Sequence, residues 1–170
     1  MSVTFARFTQ VTAHVKGDGR LFRSSAPGYD DVGRDAPQNL TKADIDFLQA
    51  SGRGITRILS LNEQPYTDAA RAMLVKASIE YLHLPVKDFH APTLDQIKSA
   101  VTFWSKAPVS NMLVHCGYGH GRTGTMITAL QLWMTSGHLD LDRTMSDNYV
   151  EEDVQREALR RYQAELKSDL

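Results

Sequence analysis

A glycine-rich loop between an apolar run and a helix-like stretch is the feature that most constrains this chain. The loop begins at Cys116, the only cysteine, and glycine occupies three of the next five positions. Residues 111–114 lead into the loop, and residues 125–133 carry a helical pattern after it. A loop of this kind holds anions, because unpaired N–H groups and the helix dipole converge at the helix start. The sequence therefore predicts a phosphate cradle that also contains a thiol.

The size and composition of the chain predict one globular domain over residues 1–170. Hydrophobic residues make up 42% of the sequence and charged residues 23%, and the net charge of −1 gives no reason to expect a nucleic-acid partner. A single cysteine excludes an intramolecular disulfide and fits a reducing compartment. The sequence contains neither a signal peptide nor a membrane-spanning run. We expect a monomeric cytoplasmic protein, although export by another route leaves no such trace.

Alternating strand and helix patterns predict an α/β fold, in which a central sheet of about four to five strands is flanked by helices. The first 20 residues are expected to form an N-terminal extension packed on this domain. Strands are expected at residues 56–61, 80–84 and 112–115, with a short edge strand near 21–22. Helices are expected to begin near Thr41, to cover residues 66–77 and 93–106, to follow the loop as far as about 136, and to continue from 139 with a break near Asn148.

Three other chemistries could use parts of the loop. Residues 119–124 satisfy the Gly-x-Gly-x-x-Gly pattern of dinucleotide sites, but the second strand and its acidic residue do not follow. A nucleotide P-loop ends in Gly-Lys-Ser/Thr, and this loop has arginine in place of the lysine. A metal site built from His115, Cys116 and His120 lacks a second cysteine or a paired-histidine spacing. We therefore expect neither a metal nor an organic cofactor.

The remaining chemistry, reaction at a phosphate, uses each part of the loop. The helix start and Arg122 favour a thiolate at Cys116, and the planar guanidinium of Arg122 can hold two phosphate oxygens. Thr123 is placed for its hydroxyl to hydrogen-bond the cysteine sulfur. The glycines allow the backbone to curl with its amides inward. A buried structural cysteine is the competing interpretation. The predicted phosphate-binding residues are Gly117, Tyr118, Gly119, His120, Gly121 and Arg122.

Residues 115–124 read His-Cys-x-x-Gly-x-x-Arg-Thr-Gly, and this segment resembles the signature of the cysteine-dependent protein tyrosine phosphatases. The resemblance implies that Cys116 attacks phosphorus, that a phosphocysteine forms, and that water releases phosphate. It also implies that Arg122 and the loop amides stabilise the transferring group without any cofactor. His115 corresponds to a structural histidine that tunes the thiolate, so we do not expect it to be the general acid.

A general acid is needed to protonate the departing oxygen, and Asp88 is the best candidate. It lies in residues 85–92, a loop after a predicted strand, where catalytic side chains of α/β domains tend to lie. This loop resembles the acid loop of small dual-specificity phosphatases. His90 is the competing acid, a plain turn aspartate is the non-catalytic interpretation of Asp88, and Asp95 is better explained as a charge in the first turn of a helix.

The resemblance extends, with less specific motifs, over residues 20–135. Arg23 and Glu63 lie in segments similar to those of atypical dual-specificity phosphatases, and we expect them to form a buried pair or to brace loops rather than to catalyse. Gln155 matches only loosely the glutamine that some relatives use near the hydrolytic water. The water-positioning residue therefore stays open.

The resemblance favours a phosphorylated protein or peptide as the substrate, with removal of phosphate from tyrosine and serine/threonine. Phosphoinositides, inositol polyphosphates and RNA 5′-phosphates are substrates of relatives, and the first two form the main alternative. A phosphate-binding module without turnover is the non-enzymatic alternative. The cysteine, the arginine and an acid are all present, so we expect an enzyme, a protein-tyrosine/dual-specificity phosphatase.

Overall fold

Five strands form one mixed sheet in the order β1-β2-β5-β3-β4 in the computed structural model. The structure describes residues 2–30, 32, 35–36, 38–107 and 109–168. The first pair, β1 and β2, is antiparallel, and all the other neighbouring strands are parallel. The strands are β1 (Thr9–Val11), β2 (Leu21–Ser24), β3 (Ile55–Ser60), β4 (Glu80–His83) and β5 (Asn111–His115).

Six helices are found in the described part of the chain, and two of them begin with the capping boxes that their sequences favour. Thr41 and Thr93 each accept a hydrogen bond from the backbone three residues later, and the side chain at that later position bonds back to the cap. The helices are α1 (Lys42–Gln49), α2 (Asp68–Lys76), α3 (Leu94–Ser105), α4 (Gly121–Met134), α5 (Leu141–Asp147) and α6 (Asp153–Ser168). None of them is long and apolar enough to cross a membrane.

The sheet separates two hydrophobic cores, because alternate residues of a strand point to opposite faces. In β5, Met112 and Val114 pack in the core that contains α3, α4, α5 and α6. Leu113 packs in the core that contains α1 and α2. The predicted α/β architecture, a central sheet flanked by helices, is therefore confirmed. Because β3 and β5 are parallel, their carboxyl ends lie side by side at the same end of the sheet.

The expected edge strand near residues 21–22 is wrong in its position. β2 lies inside the sheet between β1 and β5, and all four of its residues are buried. The strand carries buried Arg23 and Ser24, so it lacks the continuous apolar run that marks a central parallel strand. The true edge strand on that side, β1, has only three residues and was not predicted.

Candidate active site

The loop after β5 surrounds the sulfur of Cys116 with backbone. Cys116 is buried, and its Sγ accepts a hydrogen bond from the Gly119 N–H at 3.3 Å. Gly119 has a φ of +101°, and a Cβ at this position would lie 2.5 Å from the carbonyl oxygen of Ser24. Glycine is therefore required here for two separate reasons, the left-handed backbone and the contact with β2. One loop amide, that of Gly119, therefore points at the sulfur.

Arg23 braces the phosphate loop, which is one of the two roles expected for it from the sequence. Its Nη2 donates to the carbonyl oxygens of Gly119 at 2.8 Å and Asn148 at 3.1 Å. Gly124, in the first turn of α4, packs so closely on the Asn148 carbonyl that a Cβ would clash with that backbone. The cradle is thus fixed against the turn between α5 and α6.

Arg122 is held by Asp35, a residue that the sequence analysis did not identify. Nη1 and Nη2 of the guanidinium pair with the two carboxylate oxygens of Asp35, and Nη1 also donates to the Val86 carbonyl at 2.9 Å. Burial alone would raise the pKa of Asp35, but hydrogen bonds from Arg122 and from the Glu63 backbone hold it below its usual value. The pair is therefore charged, and the arginine cannot rotate freely.

The orientation of Arg122 leaves one edge of its planar group for a substrate. Asp35 occupies the edge between Nη1 and Nη2, while Nε forms no hydrogen bond with any residue that the structure describes. On the cavity side, Nη2 forms an ion pair with Oδ1 of Asp88 at 3.2 Å, which a bound phosphate would replace once Asp88 is protonated. A phosphate could therefore bind to Nε and Nη2 in the two-pronged manner that the guanidinium allows.

Asp88 stands across the cavity from Cys116 on the loop between β4 and α3. Its Oδ1 is 3.2 Å from Nη2 of Arg122, and the same oxygen accepts the Phe89 N–H at 3.0 Å. His90, the competing acid, does not line the cavity, and its Nδ1 contacts the Asp88 carbonyl at 2.8 Å. Asp95 lies in the first turn of α3, where the sequence analysis assigned it. The structure thus favours Asp88 over His90 as the acid.

His115 is buried behind the cradle and is not part of the cavity. Its Nδ1 donates to the Cys116 carbonyl at 3.1 Å, and its Nε2 accepts the Tyr66 hydroxyl at 2.7 Å. Burial lowers the pKa of His115 to about 4, so the imidazole is neutral at physiological pH. A neutral imidazole that is hydrogen-bonded at both ring nitrogens fixes the end of β5, in line with the supporting role that the resemblance implied.

The expected hydrogen bond from Thr123 to the cysteine sulfur is not formed. Thr123 is buried in the first turn of α4, and its hydroxyl oxygen has no hydrogen-bond partner among the described residues. The neighbouring threonines of α4, Thr125 and Thr128, instead donate to carbonyls one turn earlier. The sulfur receives its bond from the Gly119 backbone.

The two large side chains at the variable positions of the loop, Tyr118 and His120, lie in different places. Tyr118 lines the cavity and lies under the guanidinium of Arg7, whose Cζ is 3.7 Å from the centroid of the Tyr118 ring. His120 was expected around the pocket, but its ring does not line the cavity. The ring stacks on that of Tyr149, with 4.3 Å between the two ring centroids. Burial, with the nearby charges of Arg23 and Arg7, lowers the pKa of His120. Any contact of His120 with a phosphate in the cavity would therefore come from its backbone.

Glu63 differs from its expected role, and Gln155, whose role the sequence left open, has a structural one. The Glu63 side chain is exposed and forms no buried pair; only its backbone N–H takes part, by donating to Asp35 at 2.8 Å. Gln155 lines the cavity, but its amide is already bonded on both sides, to the backbone of Glu151 and Glu152 and to the His90 carbonyl. Gln155 therefore joins the acid loop to α6.

The cavity above Cys116 has a volume of about 260 Å³, slightly below the roughly 300–1,000 Å³ of sites for drug-sized ligands. It suits a phosphoryl group and the first atoms of the alcohol that carries it. Among the described residues, no cluster of three histidine, cysteine or acidic side chains could hold a metal ion. The residues that line the cavity are Tyr29, Asp35, Asp88, Phe89, Cys116, Tyr118, Gly121, Arg122, Glu151 and Gln155.

Solved structures with the same fold cover nearly the whole chain. The structure of the kinase-associated phosphatase KAP, with serine in place of its catalytic cysteine, matches with a TM-score of 0.74 and 16% identity. That match covers 100% of this chain and 99% of the other. PTPMT1 in complex with PI(5)P matches with a TM-score of 0.65 and 18% identity over 88% of this chain and 93% of that one.

Sequence comparison identifies one curated relative and one family. The phosphatidylinositol 3,4,5-trisphosphate 3-phosphatase cnrN of Dictyostelium discoideum is 31% identical over 107 residues, which are 60% of this chain and 16% of that protein. The chain therefore spans about a sixth of the length of this relative. A family model described as "Polymorphic toxin system, DSP-PTPase phosphatase" matches residues 32–136, which is more than half of the chain. The chain belongs to this family of phosphatases, within the cysteine-dependent protein tyrosine phosphatase superfamily.

Proposed function

We propose that the chain hydrolyses phosphate monoesters with Cys116 as nucleophile, Arg122 as phosphate clamp and Asp88 as general acid. The observation that carries the proposal is that these three side chains, from separate elements, line the same small cavity. The Gly119 amide on the sulfur and Asp35 on the guanidinium orient two of them before any substrate binds. Preorganised donors of this kind stabilise the charge that develops during transfer.

The proposed reaction has two steps. The Cys116 thiolate attacks phosphorus, the bond from phosphorus to the leaving oxygen breaks, and Asp88 transfers its proton to that oxygen. Water then attacks the phosphocysteine, Asp88 takes one proton from the water, and the P–S bond breaks to release inorganic phosphate and the thiolate. The free edge of Arg122 and the loop amides bind the phosphoryl oxygens in both steps.

A phosphorylated protein or peptide is the substrate that the cavity supports best. Arg122 is the single cationic side chain among the described residues that line the cavity, whereas three carboxylates line it. Aromatic side chains, Tyr29, Phe89 and Tyr118, also line the cavity. This lining favours one phosphate on an aromatic or neutral carrier. The proposal therefore includes phosphotyrosine and phosphoserine/threonine as target residues. From the sequence, we also propose that the protein is monomeric and acts in the cytoplasm.

A phosphoinositide or inositol phosphate is the second candidate. It is supported by the name of cnrN as a phosphatidylinositol 3,4,5-trisphosphate 3-phosphatase and by the PI(5)P bound to PTPMT1. The charge of the cavity opposes it, because each additional phosphate would meet carboxylates rather than lysine or arginine side chains.

The deciding experiment compares the wild type with Cys116→Ser on phosphotyrosyl, phosphoseryl and inositol phosphate substrates in the presence of EDTA. We expect the wild type to release phosphate fastest from the phosphotyrosyl peptide, and Cys116→Ser to bind that peptide without turnover. Full activity in Cys116→Ser would contradict the mechanism, and a preference for the inositol phosphate would contradict the substrate. A phosphocysteine trapped at residue 116 would identify the intermediate directly.

The family description also suggests a biological setting, since it refers to a polymorphic toxin system. We propose that phosphate removal is the toxic activity of this chain. Expression of the wild type inside a host cell should then slow growth, and expression of Cys116→Ser at the same level should not. Equal growth inhibition by the two proteins would separate toxicity from the phosphatase reaction.

A further inference from the structure

Glu151 lies in the turn between α5 and α6, and its side chain lines the cavity. The turn is held in place by neighbouring side chains of α6. Gln155 accepts the Glu151 N–H at 3.1 Å, and Arg156 donates to the Glu151 carbonyl at 2.9 Å. The backbone that carries the carboxylate is therefore fixed, although the side chain itself is exposed.

The carboxylate of Glu151 is directed at the phosphate cradle. It interacts with the backbone N–H of Gly121, and its Oε2 lies 2.5 Å from where a Cβ on Gly121 would stand. The absence of a side chain at Gly121 thus makes room for the carboxylate. Burial, together with the charges of Glu152 and Asp88, raises the pKa of Glu151. These contacts place a negative group at the edge of the site rather than in open solvent.

The three carboxylates that line the cavity differ in how far a cation or a proton neutralises them. Asp35 is paired with Arg122 through both of its oxygens, so it presents little free charge to a ligand. Asp88 must carry a proton to act as the acid in the first step. Glu151 is therefore the carboxylate that a bound substrate meets beside the reacting phosphate. The cradle amides and the free edge of Arg122 offset this repulsion for one phosphoryl group only.

We propose that Glu151 is a specificity-determining residue that excludes substrates with further phosphate groups close to the one that reacts. A second phosphate on the same small ring would lie near the carboxylate without a cation to pair with. A phosphotyrosyl peptide places its next charged groups outside the cavity. This inference deepens the proposed function and rests on it, since it assumes that the cavity is where phosphate transfer occurs.

The test compares the wild type, Glu151→Gln and Glu152→Gln on a phosphotyrosyl peptide and on inositol 1,3,4,5-tetrakisphosphate. Glu151→Gln removes the charge and keeps an oxygen that can accept the Gly121 N–H. Glu152→Gln makes the same change of charge one residue away, at a side chain that does not line the cavity. The measured quantity is the ratio of kcat/KM for the two substrates, because any effect on the reacting phosphate is common to both and cancels.

We expect Glu151→Gln to shift this ratio about tenfold toward the tetrakisphosphate, the order expected for one charge a few ångströms from a phosphate at a protein surface. Glu151→Lys should shift it further in the same direction. Glu152→Gln should change it less than twofold. Higher salt should narrow the preference of the wild type more than that of Glu151→Gln.

The outcomes distinguish this inference from the proposed function. A ratio that is the same in the wild type and Glu151→Gln, or that changes equally in Glu152→Gln, overturns the role of Glu151 and leaves the reaction intact. A wild type that prefers the tetrakisphosphate overturns the role of Glu151 together with the proposed substrate. A wild type that hydrolyses neither compound removes the proposed function and this inference together.

Discussion

The two halves of the candidate active site are built very differently. The cradle comes from one continuous segment, residues 115–124, and its central side chain, Arg122, is 4% exposed. The acid comes from the loop between β4 and α3, and its side chain, Asp88, is 41% exposed. The cradle is fixed by buried partners such as Asp35 and Arg23, whereas Gln155 holds the acid loop through a single hydrogen bond to the His90 carbonyl.

This difference predicts different effects of substitutions in the two halves on stability and on activity. Residues of the cradle support both the core and the reaction, so changes there should lower stability and activity together. Beyond the buried Val86, the acid loop presents partly exposed Asp88 and exposed Phe89 and His90, so changes at these three residues should lower activity alone. Variants in each half of the site test whether stability and activity divide in this way.

Asp88→Asn should have the largest effect on the reaction. Loss of the general acid should lower kcat by roughly 10²–10⁴-fold for substrates with poor leaving groups, such as alkyl phosphates. Aryl phosphates with good leaving groups need no proton and should lose much less. Because the side chain is exposed, the free energy of unfolding should change by no more than about 0.5 kcal/mol. Steady-state kinetics across a leaving-group series, with urea denaturation, measure both.

The matched control for this prediction is His90→Asn, which changes the competing acid on the same loop. It should leave the dependence on the leaving group as in the wild type. If His90→Asn reproduces the kinetic pattern expected of Asp88→Asn, then the acid is His90 and the proposed role of Asp88 is wrong.

Asp35→Asn should have a large effect on stability. It removes the buried counter-charge of the Arg122 guanidinium and leaves only the partly exposed Asp88, and breaking a buried ion pair in this way costs about 3 kcal/mol. The arginine also loses the partner that fixes its orientation, so kcat/KM should fall for good and poor leaving groups alike. Asp30→Asn, an exposed change in the same loop, is the control. A stable Asp35→Asn protein with normal kinetics would mean that Arg122 is positioned without Asp35.

The neutral state of His115 should make the stability of the protein depend on pH. Its pKa is about 4 in the folded chain and about 6.5 when unfolded, so the unfolded state binds the additional proton between these values. The free energy of unfolding should therefore fall as the pH decreases from 6.5 to 4, by about 3 kcal/mol in total, and this contribution should be constant outside that window. Denaturation of the wild type and His115→Asn at several pH values measures it. Equal slopes for the two proteins would exclude His115 as the cause.

The sequence predicted the cradle well because all its parts lie within ten residues and their spacing reflects local backbone geometry. Cys116, Arg122 and the glycines needed only the pattern of a strand, a loop and a helix start. Asp35 was not found, because its contact with Arg122 joins positions 87 residues apart in the chain. The expected bond from Thr123 to the sulfur was wrong for a related reason. Spacing places the hydroxyl near the cysteine but does not determine its direction.

The same limit explains the errors in the sheet and at the cavity wall. β2 was expected at an edge because its buried Arg23 and Ser24 conceal a central strand, and only the fold shows that Arg23 is satisfied by distant carbonyls. Glu151 was not identified, because an acidic residue before a helix usually indicates no more than a favourable helix start. Its position beside Gly121 depends on how α5 and α6 pack against α4.

Gln155→Met should have the smallest effect of the series, and it tests how the two halves are joined. Methionine keeps the size and shape of the buried side chain but loses the hydrogen bonds to the His90 carbonyl and to the Glu151 and Glu152 amides. One net hydrogen bond contributes about 1 kcal/mol, so the acid loop should leave its position over the cradle for a larger share of the time.

The expected result is a fall in kcat of about fivefold to tenfold that is confined to poor leaving groups, because only these depend on Asp88. The double variant with Asp88→Asn should then show no additional loss, since the acid that Gln155 positions is already absent. If the two losses instead multiply, Gln155 acts on a different step, such as the attack of water on the phosphocysteine, and the two halves of the site are not joined through it. Leaving-group kinetics of both single variants and the double variant distinguish these two roles.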